Sequence, residues 1–213
     1  MNYKGIIFDL DGVIVFTDKF HYQAWKVIAD EMGIYFDEQI NHRLRGVSRM
    51  DSLEIILERY EGAPFSQEEK NALAEKKNNI YRELLETMSK DDVSEEVCET
   101  LKELRRRGVK IALGSSSKNA KFILEKVELL QLFDEISDGT NITKSKPDPE
   151  VFSMAAQFLG LEPQECLVVE DADAGIEAAV AGGMHPVGIG EAAANPKAEY
   201  KLNRFADLLA IVE

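Results

Sequence analysis

The 213-residue chain is 45% hydrophobic and 30% charged, a balance that suits one globular unit with room for a modest insertion. Its formal net charge of −14 argues against a general nucleic-acid binder, which carries a basic face, and against adhesion to an anionic membrane surface. A small anionic ligand stays open, because it asks only for a local cluster of positive groups.

Residues 4–9 hold a short isoleucine-rich run that predicts a buried strand ending at Asp9, with Gly12 marking the turn after it. The run is too short for a signal-peptide core, and no stretch has the length of an apolar membrane span. From about Thr17 to Met88 the pattern is helical. One helix carries Phe20, Trp25, Ile28 and Met32; a second starts at Ser48 with Asp51 three residues on, and a third at Ser66 with Glu69 in the same relation. After about Lys90 helix and strand alternate. A helix over Ser94–Arg107 stops at Gly108, strand Val109–Leu113 follows, and a helix opens near Lys118. A short strand near Glu135–Ser137 precedes a helix with Asp148 as N-cap and Pro149 at its first position. Strand Cys166–Val169, a helix from Asp173 and a strand near His185–Ile189 close the pattern. The expectation is an α/β fold: a doubly wound parallel sheet, Rossmann-like, over residues 1–16 and 89–213, with a helical cap inserted at 17–88. Cys98 and Cys166 fall in predicted helix and strand and read as two buried thiols in a reducing compartment, hence a cytoplasmic protein. No long apolar edge is evident, and a monomer is expected.

Ligands of open α/β sheets bind at the carboxyl ends of the strands. The residues that follow the predicted strands are Asp9 and Asp11, then Ser115, Ser116 and Ser117, then Glu170 and Asp171, with Lys146 entering from the turn before the Pro149 helix. Alone, an Asp-x-Asp, a Lys-Pro or an acidic pair is commonplace; together, each after its strand, they fit phosphoryl transfer. A carboxylate is ionised at neutral pH, so Asp9 can attack phosphorus without an activating base. Asp9, Asp171 and Glu170 can hold a hard magnesium ion through oxygen. Lys146 can neutralise the moving group, Ser115 can donate to its oxygens, and Asp11 can shuttle a proton as general acid/base. His42 and His185 have no partners at metal spacing, and Arg105–Arg107 read as cations at a helix end.

The motifs Asp9-Leu10-Asp11-Gly12, Ser115, Lys146-Pro147 and Glu170-Asp171 resemble, in order, the four motifs of the haloacid dehalogenase superfamily. The second aspartate, Asp11, points to its phosphatase and phosphomutase branch. His21 with Trp25, the run Arg45 to Arg49 with Asp51-Ser52, Lys77-Asn78 and Ser115 to Asn119 look like the β-phosphoglucomutase family. That resemblance implies an isomerase converting β-glucose 1-phosphate to glucose 6-phosphate through a bisphosphate and an aspartyl phosphate on Asp9. It implies Mg2+ at Asp9, Asp11, Glu170 and Asp171, and a small sugar phosphate held by Thr17, His21, Trp25, Gly46, Val47, Ser48, Arg49, Ser52, Lys77, Ser116, Ser117, Lys118 and Asn119. Arg49 would grip the phosphate not being transferred, and His21 with Lys77 would couple cap closure to Asp11. Phe16 departs from the acidic residue that many relatives carry before Thr17. The alternatives are a magnesium-dependent phosphatase of small sugar phosphates and a catalytically silent phosphate-binding protein; the intact set Asp9, Asp11, Lys146 and Asp171 speaks against silence.

Overall fold

Parallel strands covered on both faces read as continuous apolar runs, and every residue of β1 (Gly5–Phe8) and β4 (Cys166–Glu170) is buried. With β2 (Lys110–Gly114), β3 (Glu135–Ser137), β5 (His185–Gly188) and β6 (Tyr200–Lys201) they form a parallel sheet in the order β3-β2-β1-β4-β5-β6. The computed structural model describes residues 3–45 and 47–212. Ile6 pairs in register with Ile111 and Leu167, which puts β1 at the centre.

Successive side chains of a strand face opposite ways, and the two faces have different covers. Ile6 and Phe8 join Ile111, Leu113, Leu167 and Val169 on one face, packed by α5 (Glu95–Arg106) and α6 (Ala120–Lys126). Ile7, Ala112 and Val168 face α7 (Glu150–Leu159) and α8 (Asp173–Ala181). The strand boundaries differ from the sequence expectation by about one residue, as frayed ends do. Ser94 caps α5 by accepting from Val97 N–H, and Gly108 takes a φ of +79° beyond its end. Asp148 does not cap α7 as expected: Pro149 holds the N-cap position, while the Asp148 carboxylate accepts from Glu150 N–H at 3.0 Å.

Between β1 and α5 lie the cap helices α1 (Asp18–Glu31), α2 (Glu38–His42), α3 (Arg49–Leu57) and α4 (Gln67–Leu85). Trp25 and Ile28 of α1, Ile40 of α2, Leu53 and Ile56 of α3 and Ala74 of α4 make a separate apolar cluster. Ser66 and Glu69 form a full capping box on α4. At α3 the Ser48 hydroxyl accepts from Asp51 N–H and also donates to the Asp51 carboxylate. The five-residue α2 was not foreseen; it is too short for periodicity and is set by Asp37, which accepts from Ile40 N–H at 2.9 Å. No helix is long and apolar enough to cross a membrane among the described residues.

Phe152, fully buried, wedges between α7 and the sheet, and its ring lies 4.6 Å from the Lys146 ammonium. Replacing it with alanine removes that packing and leaves a cavity. Urea denaturation of Phe152→Ala is expected to show a loss of about 3–5 kcal/mol; a loss under about 1 kcal/mol would mean that this wedge does not support the sheet.

Candidate active site

Because β1 lies between β2 and β4, the loops after all three open at one sheet edge. Asp9 is the first residue past β1, with its N–H bonded to Val169 O at 3.0 Å. Gly12 then turns at φ +86°, and a Cβ there would lie 2.0 Å from Asp171 Oδ2. Only a residue without a side chain lets this loop approach the acidic loop so closely. Ser115, after β2, donates its N–H to Ser137 O, while Ser115 and Ser117 hydroxyls accept from the N–H groups of Ser117 and Asn119. Ser116 Oγ is buried and has no hydrogen-bond partner among the described residues.

Lys146 reaches the same point from the segment before α7, where it is joined to Pro147 by a cis peptide. Its ammonium donates to Asp9 Oδ1 at 2.5 Å and to Glu170 Oε1 at 2.6 Å. Glu170 also accepts from Ala172 N–H at 3.0 Å, which fixes its second oxygen. Burial alone would lower the Lys146 pKa, but the Asp9 and Glu170 carboxylates outweigh it and hold the ammonium charged. Oxygens of Asp9, Glu170 and Asp171 lie within 4.8 Å of one another. Burial, followed by the charges of Asp9 and Glu170, pushes Asp171 up to about 8. An all-oxygen, all-carboxylate donor set of this kind fits a hard divalent cation.

The Asp11 carboxylate does not join that cluster. It accepts from the Thr17 hydroxyl, which in turn accepts from Tyr81 OH at 3.2 Å. Its expected place among the metal ligands is therefore not carried by its side chain. Burial, then the Asp9 charge, raises its pKa to about 7, partly offset by the Thr17 bond. A carboxyl group so placed can both give and accept a proton near neutrality.

Cap and sheet edge enclose a cavity of about 1170 Å3. Of the residues expected from sequence, Asp9, Asp11, Ser115, Lys146, Glu170 and Asp171 line its floor. From the cap it is lined by His21, Trp25, Val47, Ser48, Arg49, Ser52 and Lys77, and from the β2 loop by Ser116, Ser117, Lys118 and Asn119. Thr17 does not line it: fully buried, it acts beneath Asp11. Gly46 lies outside the described residues. Phe16, 72% exposed, stands at the rim. Asn78 links the two halves, accepting from Arg49 at 2.8 Å and from Asn119 at 2.9 Å. Sequence reasoning had singled out its motif but not its bridging. Arg49 and Lys118 meet this cavity without a carboxylate partner among the described residues.

Lys77 is buried, with Nζ 2.8 Å from His21 Nδ1 and 4.5 Å from the Tyr81 ring centroid. Burial, then Arg49, lowers its pKa to about 7, and burial, then Lys77, holds His21 well below the usual imidazole range.

The family model for haloacid dehalogenase-like hydrolases matches residues 3–183. The β-phosphoglucomutase of Bacillus subtilis (strain 168) is 40% identical over 207 residues, covering 96% of this chain and 91% of that one. A fructose-1-phosphate phosphatase of Escherichia coli (strain K12) is 32% identical, covering 88% and 96%. Among solved structures, a β-phosphoglucomutase from Clostridium difficile superposes with a TM-score of 0.91 at 38% identity, covering 97% of this chain and 93% of that one.

Two expectations follow. A Cβ on Gly175 would stand 1.9 Å from Glu170 Cδ, and Glu170 is pinned by Lys146 and Ala172. Gly175→Ala should therefore displace Glu170 and weaken divalent-cation binding about 10- to 100-fold by calorimetric titration, with helicity kept; undiminished affinity would refute the assignment. The unfolded chain keeps the Lys77 proton up to the ordinary 10.5, whereas the folded chain releases it near 7. The destabilisation from this buried charge is thus full below pH 7 and fades as pH rises toward 10.5. Lys77→Met should raise the thermal midpoint at pH 6.5 by about 2 °C or more, with the advantage shrinking by pH 9; a lowered midpoint at pH 6.5 would contradict this.

Proposed function

The chain belongs to the haloacid dehalogenase-like hydrolase family, and from that membership we propose that it interconverts β-D-glucose 1-phosphate and glucose 6-phosphate through β-glucose 1,6-bisphosphate. Near-full-length similarity to β-phosphoglucomutases supports the reading. The structural observation that carries it is the pair of poles in one cavity. The floor holds Asp9, Asp11 and Lys146, while Arg49 and Lys118 meet no carboxylate among the described residues. A substrate with two phosphates fits both poles, and a cavity of about 1170 Å3 leaves room for it to turn.

Asp9 is the nucleophile and carries the phosphoryl group between turnovers. Asp11 removes the proton from the attacking sugar hydroxyl, and later returns one to the leaving oxygen after the bisphosphate has reversed. Thr17, itself held by Tyr81, fixes the Asp11 carboxyl group for both transfers. Lys146 orients Asp9 and neutralises the oxygens in transit, and the hydroxyls of Ser115 and Ser116 donate to them. Asp9, Glu170 and Asp171 would hold Mg2+, which when bound supplies further positive charge to the phosphoryl oxygens. Residues 17–88 act as the cap that shuts water out. Arg49 makes that closure depend on the second phosphate. His21 and Lys77, packed beside Tyr81, relay cap position to Thr17 and Asp11.

The second reading, a phosphatase of small sugar phosphates, is favoured by the similarity to the fructose-1-phosphate phosphatase. One incubation separates the two: protein, Mg2+ and β-glucose 1-phosphate, with and without trace glucose 1,6-bisphosphate, following glucose 6-phosphate and free phosphate. Bisphosphate-stimulated glucose 6-phosphate with little free phosphate is expected; free phosphate alone would replace the mutase by the phosphatase. Asp9→Asn should abolish both products. Arg49→Ala should raise KM for the sugar phosphate about tenfold or more, in line with the loss of a charge-assisted contact.

A further inference from the structure

Glu191, just past β5, reaches from the sheet edge to the cap. Its Oε2 lies 2.8 Å from His42 Nε2 at the end of α2, and its Oε1 lies 3.7 Å from a guanidinium nitrogen of Arg45. Arg45 also approaches Asp18, at the start of α1, at 3.5 Å, and the buried Asn41 donates to Asp18 at 3.0 Å. The loop that presents Glu191 is tied to the acidic loop of the site: Ile189 N–H donates to Glu170 O at 2.9 Å and Ala192 N–H to Asp171 O at 3.2 Å. The carboxylate that grips the cap is thus carried on the backbone that positions Glu170 and Asp171.

Sheet order gives this contact its meaning. The Asn78–Asn119 bridge joins cap to sheet beyond β2, on one side of β1. Glu191 does so beyond β5, on the other. Asp9 stands between the two crossings, so opening the β5 side would admit solvent without disturbing Asn78. Arg45 and Glu191 both line the cavity.

We propose that Glu191, with His42 and Arg45, is a clasp that holds the cap shut and so sets how the phosphoryl group on Asp9 divides between a sugar hydroxyl and water. This rests on the mutase reading. In either transfer the attacking oxygen forms the new bond to phosphorus and its proton passes to the Asp11 carboxylate. The bond from phosphorus to Asp9 breaks, its electron pair returning to Asp9. The two differ only in which oxygen reaches phosphorus, and the clasp acts on that access. Glu191 is a positioning residue.

The test compares the wild-type chain with Glu191→Gln, with Arg45→Gln, and with Glu58→Gln. Glu58 pairs with Arg43 inside the cap and serves as the control. Free phosphate per glucose 6-phosphate is measured during turnover, and the radius of gyration by small-angle scattering. Glu191→Gln is expected to raise the ratio about two- to fivefold, the range an exposed ion pair supplies, and to enlarge the radius. Arg45→Gln, which removes the Glu191 partner at the cavity, shifts both in the same direction, and Glu58→Gln changes neither. A wild-type radius in Glu191→Gln, or a wild-type ratio in a chain that does make glucose 6-phosphate, overturns the clasp. Should the wild-type chain make no glucose 6-phosphate, the mutase reading fails by itself, and the radius still decides whether Glu191 closes the cap.

Discussion

The Lys146 ammonium, buried between Asp9 and Glu170, is the contact on which the rest of the site depends. Three carboxylates, Asp9, Glu170 and Asp171, crowd within 4.8 Å of one another at the sheet edge. Without a cation among them their mutual repulsion and desolvation would force protons onto them or push the loops apart. A buried ion pair does not add much to stability, and leaving one partner alone costs about 3–5 kcal/mol. What the arrangement yields is a fixed, dry geometry: Asp9 is turned so that one oxygen meets Lys146. The sheet makes this possible, since a parallel β1 flanked by β2 and β4 delivers all the loops to one edge.

The division between the two aspartates follows from their neighbours rather than from their chemistry, which is the same. Asp9 faces Lys146 and the acidic pair, while Asp11, two residues on, faces the hydroxyl of Thr17. Thr17 opens the cap, and Tyr81 on α4 holds it from above. In the roles proposed above, the proton-transfer group Asp11 is therefore tied to the cap, and the nucleophile Asp9 to the sheet edge. Such a division suits an enzyme that must keep water from the aspartyl phosphate until a sugar is enclosed.

Enclosure itself is distributed. Arg49, Asn78 and Asn119 join the halves on the β2 side, and Glu191 with His42 and Arg45 joins them on the β5 side. Each contact is polar and modest, which suits the proposed closure and reopening of the cap. The apolar cluster around Trp25, Leu53 and Ile56 is separate from the cluster of the sheet, so the cap has a core of its own.

The amino-acid sequence by itself determined the alternation of strands and helices, the helical insertion and the loop residues Asp9, Ser115, Lys146 and Asp171. Those are local properties: apolar runs, capping residues such as Ser66 with Glu69, and glycine at a forced turn such as Gly12. Short elements escaped it, α2 and β6 among them, because five or two residues hold too little periodicity. Pairings across long separations escaped it too. Thr17 looked like a substrate contact and lies instead beneath Asp11. His42 and His185 have no partners at metal spacing along the chain, and in space each meets a glutamate, Glu191 and Glu199. Only the tertiary structure decided these, because which charges meet is set by strand order and by the packing of the cap, and neither is encoded in any local stretch.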